Sequence, residues 1–151
     1  MPQSLAQIYL HIVYSTKDRC PFLTDPVLRG QLHGYLVGTC QNLDCPPLQI
    51  GGVEDHVHVL CRLGRSISVA DLVCALKLEA SKWIKERSVD LADFHWQAGY
   101  GAFSISPAHV DGLKHYIVNQ EEHHRQESYS DEFRRLCRLY GLEIDERYVW
   151  D

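Results

Sequence analysis

The spacing of apolar residues predicts an alternation of strands and amphipathic helices along the chain. Strands are predicted at 8–15, 48–53, across His56 and His58, and within 96–105, where β-branched and aromatic residues are concentrated. Helices are predicted from 26 to about 38–42, from 66 to 87, from 107 to about 126, and from about 131 to 140. This order, β-α-β-β-α-β-α with a final helical piece, predicts an α+β fold with a mainly antiparallel sheet.

The length of 151 residues and the 45% content of hydrophobic residues fit one domain with a sizeable core. We therefore expect a single domain over 1–151, with an acidic helical tail from about 127. No apolar stretch approaches the ~20 residues that span a bilayer, and the start lacks the pattern of a signal peptide. These features predict a cytoplasmic protein that has no membrane partner.

Two histidines flank one hydrophobic residue in the run Glu54-Asp55-His56-Val57-His58. Because side chains of a strand alternate between its faces, His56 and His58 should point the same way and could hold one metal ion. A pair of half-buried polar residues with a structural role is the alternative interpretation. A third ligand would decide between the two.

A second pair of polar residues, Tyr116 and Gln120, lies four residues apart in a predicted helix, which places both on one face. Tyr116 beside Ile117 could simply be a core residue, but Gln120 needs partners for its amide, and a histidine pair that binds a metal ion would provide one. Tyr100 is the rival nucleophile, although its flanking glycines favour a turn. His11 could approach the site, whereas His123 and His124 are expected at a solvated helix end.

The formal net charge of −5 is unusual for a protein that binds nucleic acid. Much of the acidity lies in the last 31 residues, which hold nine carboxylates. The rest of the chain is nearly balanced, and an ordinary solvated helix face is the alternative explanation for its lysines. The candidate DNA-binding residues are Lys17, Arg62, Arg65, Lys77, Lys82 and Lys85.

Together these motifs resemble the single-tyrosine HUH transposases of small bacterial insertion sequences and their relatives, the REP-associated tyrosine transposases. The family carries two histidines around a hydrophobic residue on a strand, and a tyrosine with a glutamine one turn later on a downstream helix. His56-Val57-His58, Tyr116 and Gln120 match this pattern in the right order. The segments 9–17, 77–84 and 99–104 are also similar, so the resemblance covers most of residues 5–126.

The resemblance implies a metal-dependent transposase that acts on single-stranded DNA containing a hairpin. Tyr116 would attack the phosphate and form a 5′-phosphotyrosine intermediate, while His56, His58 and Gln120 would hold Mg²⁺ or Mn²⁺. No nucleotide cofactor would be needed. The metal or a nearby cation must help the phenol to ionise, or a base must take its proton, and the sequence does not identify that base.

The family also implies a ferredoxin-like or RRM-like sheet that continues across a homodimer, in which the tyrosine helix of one chain completes the partner's site. A bacterial, nucleoid-associated location would follow. Two other functions stay open: a non-catalytic DNA-binding protein of the same fold, and a metal-dependent phosphoesterase with water as the nucleophile. A covalent protein–DNA adduct would discriminate between them.

Overall fold

The structure, a computed structural model, describes residues 2–151 and contains a single sheet with helices on both faces. The strands are β1 (Tyr9–Ser15), β2 (Pro47–Gly52), β3 (His56–Arg62) and β4 (Gly101–Ile105). The helices are α1 (Pro26–Asn42), α2 (Val69–Arg87), α3 (Val110–Val118), α4 (Gln120–His123) and α5 (Tyr129–Leu139). None of the helices in these residues is long and apolar enough to cross a bilayer.

The sheet has the order β2-β3-β1-β4, and every neighbouring pair is antiparallel. With α1 and α2 as the crossovers, this is the ferredoxin-like arrangement that the sequence predicts. The α+β class and the mainly antiparallel sheet are thus confirmed. A continuation of the sheet into a second chain stays a prediction.

Helices α1 and α2 cover one face of the sheet and form the main core. The alternate side chains of β1 and β3 that include Ile12, Tyr14, Val57 and Val59 are all fully buried against them. Both helices are capped as their sequences suggest: the side chain of Asp25 accepts the N–H of Val27, and Ser68 accepts that of Asp71. The helix predicted from 66 therefore begins at Val69, just after its cap.

The opposite face of the sheet carries His11, Val13, His56 and His58 and is covered by α3, α4 and α5. Helix α3 packs closely on β2, because a Cβ atom added to Gly51 would lie 2.9 Å from the backbone oxygen of Ile117. Gly51 thus marks a close approach of the two backbones, which a side chain at this position would obstruct.

The segment predicted as one helix from 107 to about 126 is broken, so that prediction is wrong. A short 3₁₀ turn over Pro107–His109 precedes α3, and Asn119 separates α3 from α4 with φ −93° and ψ 22°. Asparagine is a weak former of helix interiors because its side chain competes for backbone hydrogen bonds. The break leaves Tyr116 in the last turn of α3 and Gln120 at the start of α4.

Candidate active site

The two histidines of β3 are fully buried, and their side chains point to the same face of the sheet. The centroids of their rings are 5.1 Å apart. Strand alternation explains this placement, because His56 pairs with Ser15 and His58 with Val13 of the central strand β1. The rigid centre of the sheet therefore positions both rings.

Gln120, at the start of α4, lies beside this pair. Its side-chain oxygen Oε1 lies 3.2 Å from Nε2 of His56. The amide nitrogen of Gln120 donates to the backbone oxygen of Tyr116 at 3.2 Å, which turns the oxygen towards the histidines. The buried amide thus presents the atom that a metal ion would bind.

Two residues that the sequence analysis did not select complete the cluster: His124 and Glu132. Oxygen Oε1 of Glu132 lies 3.0 Å from Nε2 of His58 and 3.2 Å from Nε2 of His124. The expectation that His124 belongs to a solvated helix end is wrong, since only 8% of its side chain is exposed. Residues 120–124 curl back over β3 after the break at Asn119, which brings His124 to the site.

Ligand atoms of His56, His58, His124 and Glu132 all lie within 4.8 Å of one another. Together with the oxygen of Gln120 they form a set of imidazole nitrogens and side-chain oxygens without a thiolate. Such a set suits a divalent cation and does not resemble a structural zinc site built from cysteines. The residues present therefore fit a divalent metal ion.

Burial and charge act differently on the two histidines of β3. Burial by itself would lower the pKa of His56, but its hydrogen bonds to Asp55 and Glu132 raise that pKa to about 9. For His58 burial dominates and lowers the pKa to about 4, despite the hydrogen bond to Glu132. Burial would also raise the pKa of Glu132, but hydrogen bonds from the surrounding histidines hold it far below its usual range.

Tyr116 lies beside the histidine pair of its own chain, and its ring centroid is 5.9 Å from that of His58. Its hydroxyl donates to Oε2 of Glu132 and accepts from Nη2 of Arg135 at 2.8 Å. Burial and then the charge of Glu132 raise the pKa of the phenol, whereas Arg135 lowers it. Arg135 is thus a cation in direct contact with the phenol oxygen, although burial and Glu132 together keep the pKa of Tyr116 above its usual range.

Glu127 holds Arg135 in place through two hydrogen bonds, at 3.0 and 3.2 Å. Beyond Tyr116 a cleft of about 710 Å³ opens to solvent, and Arg135 and Tyr140 are among the residues that line it. A cleft of this volume is large enough for a nucleotide-sized group. Tyr116 therefore lines a cleft that is open to solvent, while Glu132 and Arg135 hold its hydroxyl in place.

The remaining candidates take the following places. His11 does approach the site, as its strand position suggested, because its Nε2 lies 2.7 Å from Nδ1 of His58. Tyr100, the rival nucleophile, instead has its ring 5.8 Å from Nζ of Lys77, on the side of the sheet covered by α2. The exposed side chains of Lys82 and Lys85 also belong to α2, across the sheet from Tyr116.

Lys17 and Arg62, two further candidate DNA-binding residues, are exposed as well. Lys17 follows β1 at the end of the sheet where His56 lies, and Arg62 ends β3 at the opposite end. Arg65 lies in the loop before α2 and is exposed. The amine of Lys77 is engaged with three backbone carbonyls, those of Gln97, Ala98 and Gly99.

The sequence model of the IS200-like transposases matches residues 4–120, which is most of the chain. This chain belongs to that family. The histidine pair, Tyr116 and Gln120 all lie within the matched range, so the resemblance drawn from them is confirmed at the level of the family. The protein is accordingly a transposase, whereas His124 and Glu132 lie beyond the end of the match.

Solved structures of transposases share the fold. A candidate transposase from Deinococcus radiodurans is similar with a TM-score of 0.64 and 22% identity, over 80% of this chain and 95% of that one. A REP-associated tyrosine transposase bound to a REP hairpin is similar with a TM-score of 0.60 and 11% identity, over 82% of this chain and 73% of that one. A search of curated protein sequences gave no match.

Proposed function

We propose that this transposase cleaves and rejoins single-stranded DNA with Tyr116 as the nucleophile. The phenol oxygen attacks phosphorus, the bond from phosphorus to the 3′ oxygen breaks, and that oxygen takes up a proton. The products are a 5′-phosphotyrosine and a free 3′-hydroxyl, and the new ester conserves the energy of the broken bond for rejoining. The observation that carries this proposal is the position of the Tyr116 hydroxyl between Glu132 and Arg135, beside His58.

The proposed cofactor is a divalent cation, Mg²⁺ or Mn²⁺, held by His56, His58 and Gln120. Such an ion polarises the scissile phosphate and offsets the charge that develops on its oxygens. The chain itself contributes the rest: β3 fixes the two imidazoles, the backbone of Tyr116 fixes the amide of Gln120, and Arg135 stabilises negative charge on the phenol oxygen.

The proposed substrate is single-stranded DNA that contains a hairpin. Support comes from the similar REP-associated transposase, which is bound to a REP hairpin. On this chain the cleft beside Tyr116 and the guanidinium of Arg135 suit the strand near the scissile phosphate. The basic residues Lys17, Arg62, Arg65, Lys82 and Lys85 are proposed to contact or attract the phosphates outside this cleft. Lys77, whose amine already donates to three backbone carbonyls, is proposed to act only through its charge.

We also propose a homodimer in which two sheets join edge to edge, because β2 and β4 both end the sheet and unpaired strand edges favour such pairing. The carbonyl oxygen of Ser104 on β4 already accepts the hydroxyl of Tyr140 at 2.8 Å. Exchange of the tyrosine helix between chains, in contrast, is unnecessary for a complete site, since Tyr116 lies beside His58 of its own chain. Sedimentation at micromolar concentration would measure the dimer.

A covalent adduct tests the proposed reaction directly. Purified protein is incubated with MnCl₂ and a 5′-labelled or 3′-labelled hairpin-bearing oligonucleotide, then denatured and separated by electrophoresis. The proposal requires an adduct that keeps only the 3′ part of the strand, and its loss in Tyr116→Phe with hairpin affinity within a few-fold. Tyr100→Phe is the matched control and should form the adduct normally.

The alternatives give different results in the same assay. Strand cleavage with water as the nucleophile would release both fragments without an adduct and identify a phosphoesterase. Hairpin binding that survives EDTA, with no cleavage in any metal, would identify a non-catalytic DNA-binding protein. Either result would overturn Tyr116 as a nucleophile.

A further inference from the structure

Three imidazoles aim the same ring nitrogen at one point of the site. Nε2 of His56, His58 and His124 each lie between 3.0 and 3.4 Å from Oε1 of Glu132. Nε2 of His56 and of His124 also lie 3.2 and 2.9 Å from the oxygen of Gln120. Ligands that bind one metal ion at about 2.0–2.2 Å are separated by about 2.9–3.5 Å, so these distances are those of a coordination shell.

The other nitrogen of each imidazole is fixed by a second partner. Nδ1 of His56 donates to the carboxylate of Asp55 at 2.7 Å, and Nδ1 of His124 donates to the backbone oxygen of Glu127 at 2.6 Å. Nδ1 of His58 lies 2.7 Å from Nε2 of His11. Carboxylates and carbonyls behind the imidazole are the usual second partners of histidines that bind metals, because they fix the tautomer that leaves Nε2 free to coordinate.

These contacts orient the cluster for a cation. Because Asp55 and the carbonyl of Glu127 can only accept, they hold a hydrogen on Nδ1 of His56 and of His124, and Nε2 of each ring faces the oxygens of Gln120 and Glu132. Either a proton or a metal ion must lie between such converging buried groups, and a metal ion binds where the proton would otherwise sit. Glu132, which has no exposed surface, supplies the negative charge that would stabilise such a cation.

Helix α5 buries the carboxylate of Glu132 beside the histidines, and packing alone does not explain why a charged group is buried there. The buried stripe of this helix consists of Tyr129, Glu132, Phe133, Leu136 and Cys137. Its other members pack against Val13 and Phe103 of the sheet, so an apolar residue would suit the position of Glu132. The carboxylate therefore occupies a core position of the helix but points at the histidines.

We propose that His124 and Glu132 are ligands of the metal ion and that this centre selects a first-row transition metal dication over Mg²⁺. This inference rests on the proposed function, since it extends the ligand set of His56, His58 and Gln120. Mg²⁺ prefers oxygen ligands and keeps several waters, whereas imidazoles favour Fe²⁺, Co²⁺, Ni²⁺ or Zn²⁺. Three imidazoles, one carboxylate and one amide oxygen form a set rich in nitrogen, so Mg²⁺ is a poor fit.

The extended centre joins the metal site to the nucleophile through one residue. While Oε1 of Glu132 faces the histidines, its Oε2 accepts the hydroxyl of Tyr116. Both added ligands lie after residue 120, where the match to the family ends. The acidic helical tail from about 127 thus contributes a ligand to the proposed site.

Titration calorimetry of the metal-free full-length protein tests the proposal without reference to cleavage. CoCl₂ should bind at one site per chain at least about a hundredfold more tightly than MgCl₂, as expected for an imidazole-rich site, with MnCl₂ between the two. Glu132→Gln and His124→Ala should each weaken Co²⁺ binding by about 10–100-fold and change the visible spectrum of bound Co²⁺. Glu122→Gln and His115→Ala, on exposed neighbouring positions, should do neither.

Each outcome decides one of the two proposals. Co²⁺ affinity and spectrum unchanged in both Glu132→Gln and His124→Ala, with folding verified by circular dichroism, would overturn the added ligands. Equal affinity for Mg²⁺ and Co²⁺ would overturn the selectivity. A protein that binds Co²⁺ as described but never forms the DNA adduct would contradict the proposed function and leave this inference standing.

Discussion

The two faces of the sheet are stabilised in different ways. Towards α1 and α2, β1 and β3 present Ile12, Tyr14, Val57 and Val59, all packed in one apolar core. Towards α3, α4 and α5, the same strands present His11, His56 and His58 among charged and amide groups. Because successive side chains of a strand point to opposite faces, one face of the sheet packs into the apolar core and the other carries the histidines.

This division has an energetic consequence. Burial of apolar surface contributes roughly 25 cal/mol per Å², independently of orientation, so the face covered by α1 and α2 tolerates changes that keep volume. The polar face depends on fixed directions of hydrogen bonds and on complementary charge, and its groups are costly to bury without partners. Mutations on the two faces should therefore separate stability from activity.

The largest effect on activity is expected for His58→Ala together with metal removal. Loss of this imidazole should lower metal affinity and adduct formation by a hundredfold or more, which corresponds to a loss of about 3 kcal/mol in binding free energy. EDTA should abolish adduct formation by the wild type. Gln120→Ala should have a smaller effect, because an amide oxygen is a weaker ligand than imidazole. Calorimetry and the adduct assay measure both quantities.

His33→Ala is the matched control for this change. His33 lies on α1 of the other layer, burial lowers its pKa to about 4, and its Nε2 has no hydrogen-bond partner within residues 2–151. Its removal should leave metal affinity and adduct formation at the wild-type values. Adduct formation that is unaffected by EDTA would contradict metal dependence.

The converse change is Leu76→Ala on the apolar face. Leu76 of α2 is fully buried in the main core, so its truncation removes apolar contacts and leaves a cavity. We expect the free energy of unfolding to fall by about 2–5 kcal/mol, with metal affinity unchanged wherever the protein is folded. Urea denaturation in EDTA measures the first quantity, and a metal affinity reduced in proportion to stability would show that the faces are not separable.

The sequence pattern predicted the elements that form the apolar face, and on the polar face it indicated some residues of the cluster but not His124 or Glu132. Apolar spacing locates four strands and the long helix α2 because both depend on short-range periodicity. His56 and His58 could be selected because their spacing places both on one face of a strand, and Tyr116 and Gln120 because they are four residues apart, although the chain breaks between them at Asn119. Which sheet face α2 covers depends instead on long-range packing, so its lysines could not be placed relative to the site.

His124 and Glu132 were missed for a physical reason. They meet His58 only because the chain breaks at Asn119 and α5 then packs back on the sheet, which no spacing within one element encodes. One signal was present for Glu132: Tyr129, Phe133 and Leu136 lie three and four residues apart around it, so a carboxylate occupies an apolar stripe. No comparable local signal distinguishes His124 from its neighbours His123 and Arg125.

A smaller effect tests how α3 connects the sheet to the nucleophile. In Gly51→Ala the new methyl group would lie 2.8 Å from Cγ2 and 2.9 Å from the backbone oxygen of Ile117, the residue after Tyr116. The helix must shift to accommodate it, which should cost about 1–3 kcal/mol of stability and also reduce the rate of adduct formation, since catalysis depends on the position of the nucleophile.

Gly34→Ala gives the matched control in the other layer. Nothing lies within 4 Å of an added Cβ at this helical position, so the free energy of unfolding should rise by about 0.5–1 kcal/mol with no change in adduct formation. A wild-type rate of adduct formation in Gly51→Ala would show that α3 can move without displacing Tyr116.

The smallest effect is expected where charge acts across the sheet. Lys82 and Lys85 are exposed on α2, which covers the face of the sheet opposite to Tyr116. Salt screens interactions between exposed charges beyond the Debye length, which is about 10 Å at 0.1 M salt. Reversal of both to Glu should therefore lower hairpin affinity only a few-fold at low salt, through the long-range field, and the difference should disappear as salt rises. The double change to Gln should give about half of the free-energy difference, because it removes half of the change in charge. A loss that persists at high salt would instead place the DNA directly on α2, and unchanged affinity at low salt would mean that this helix face is simply solvated.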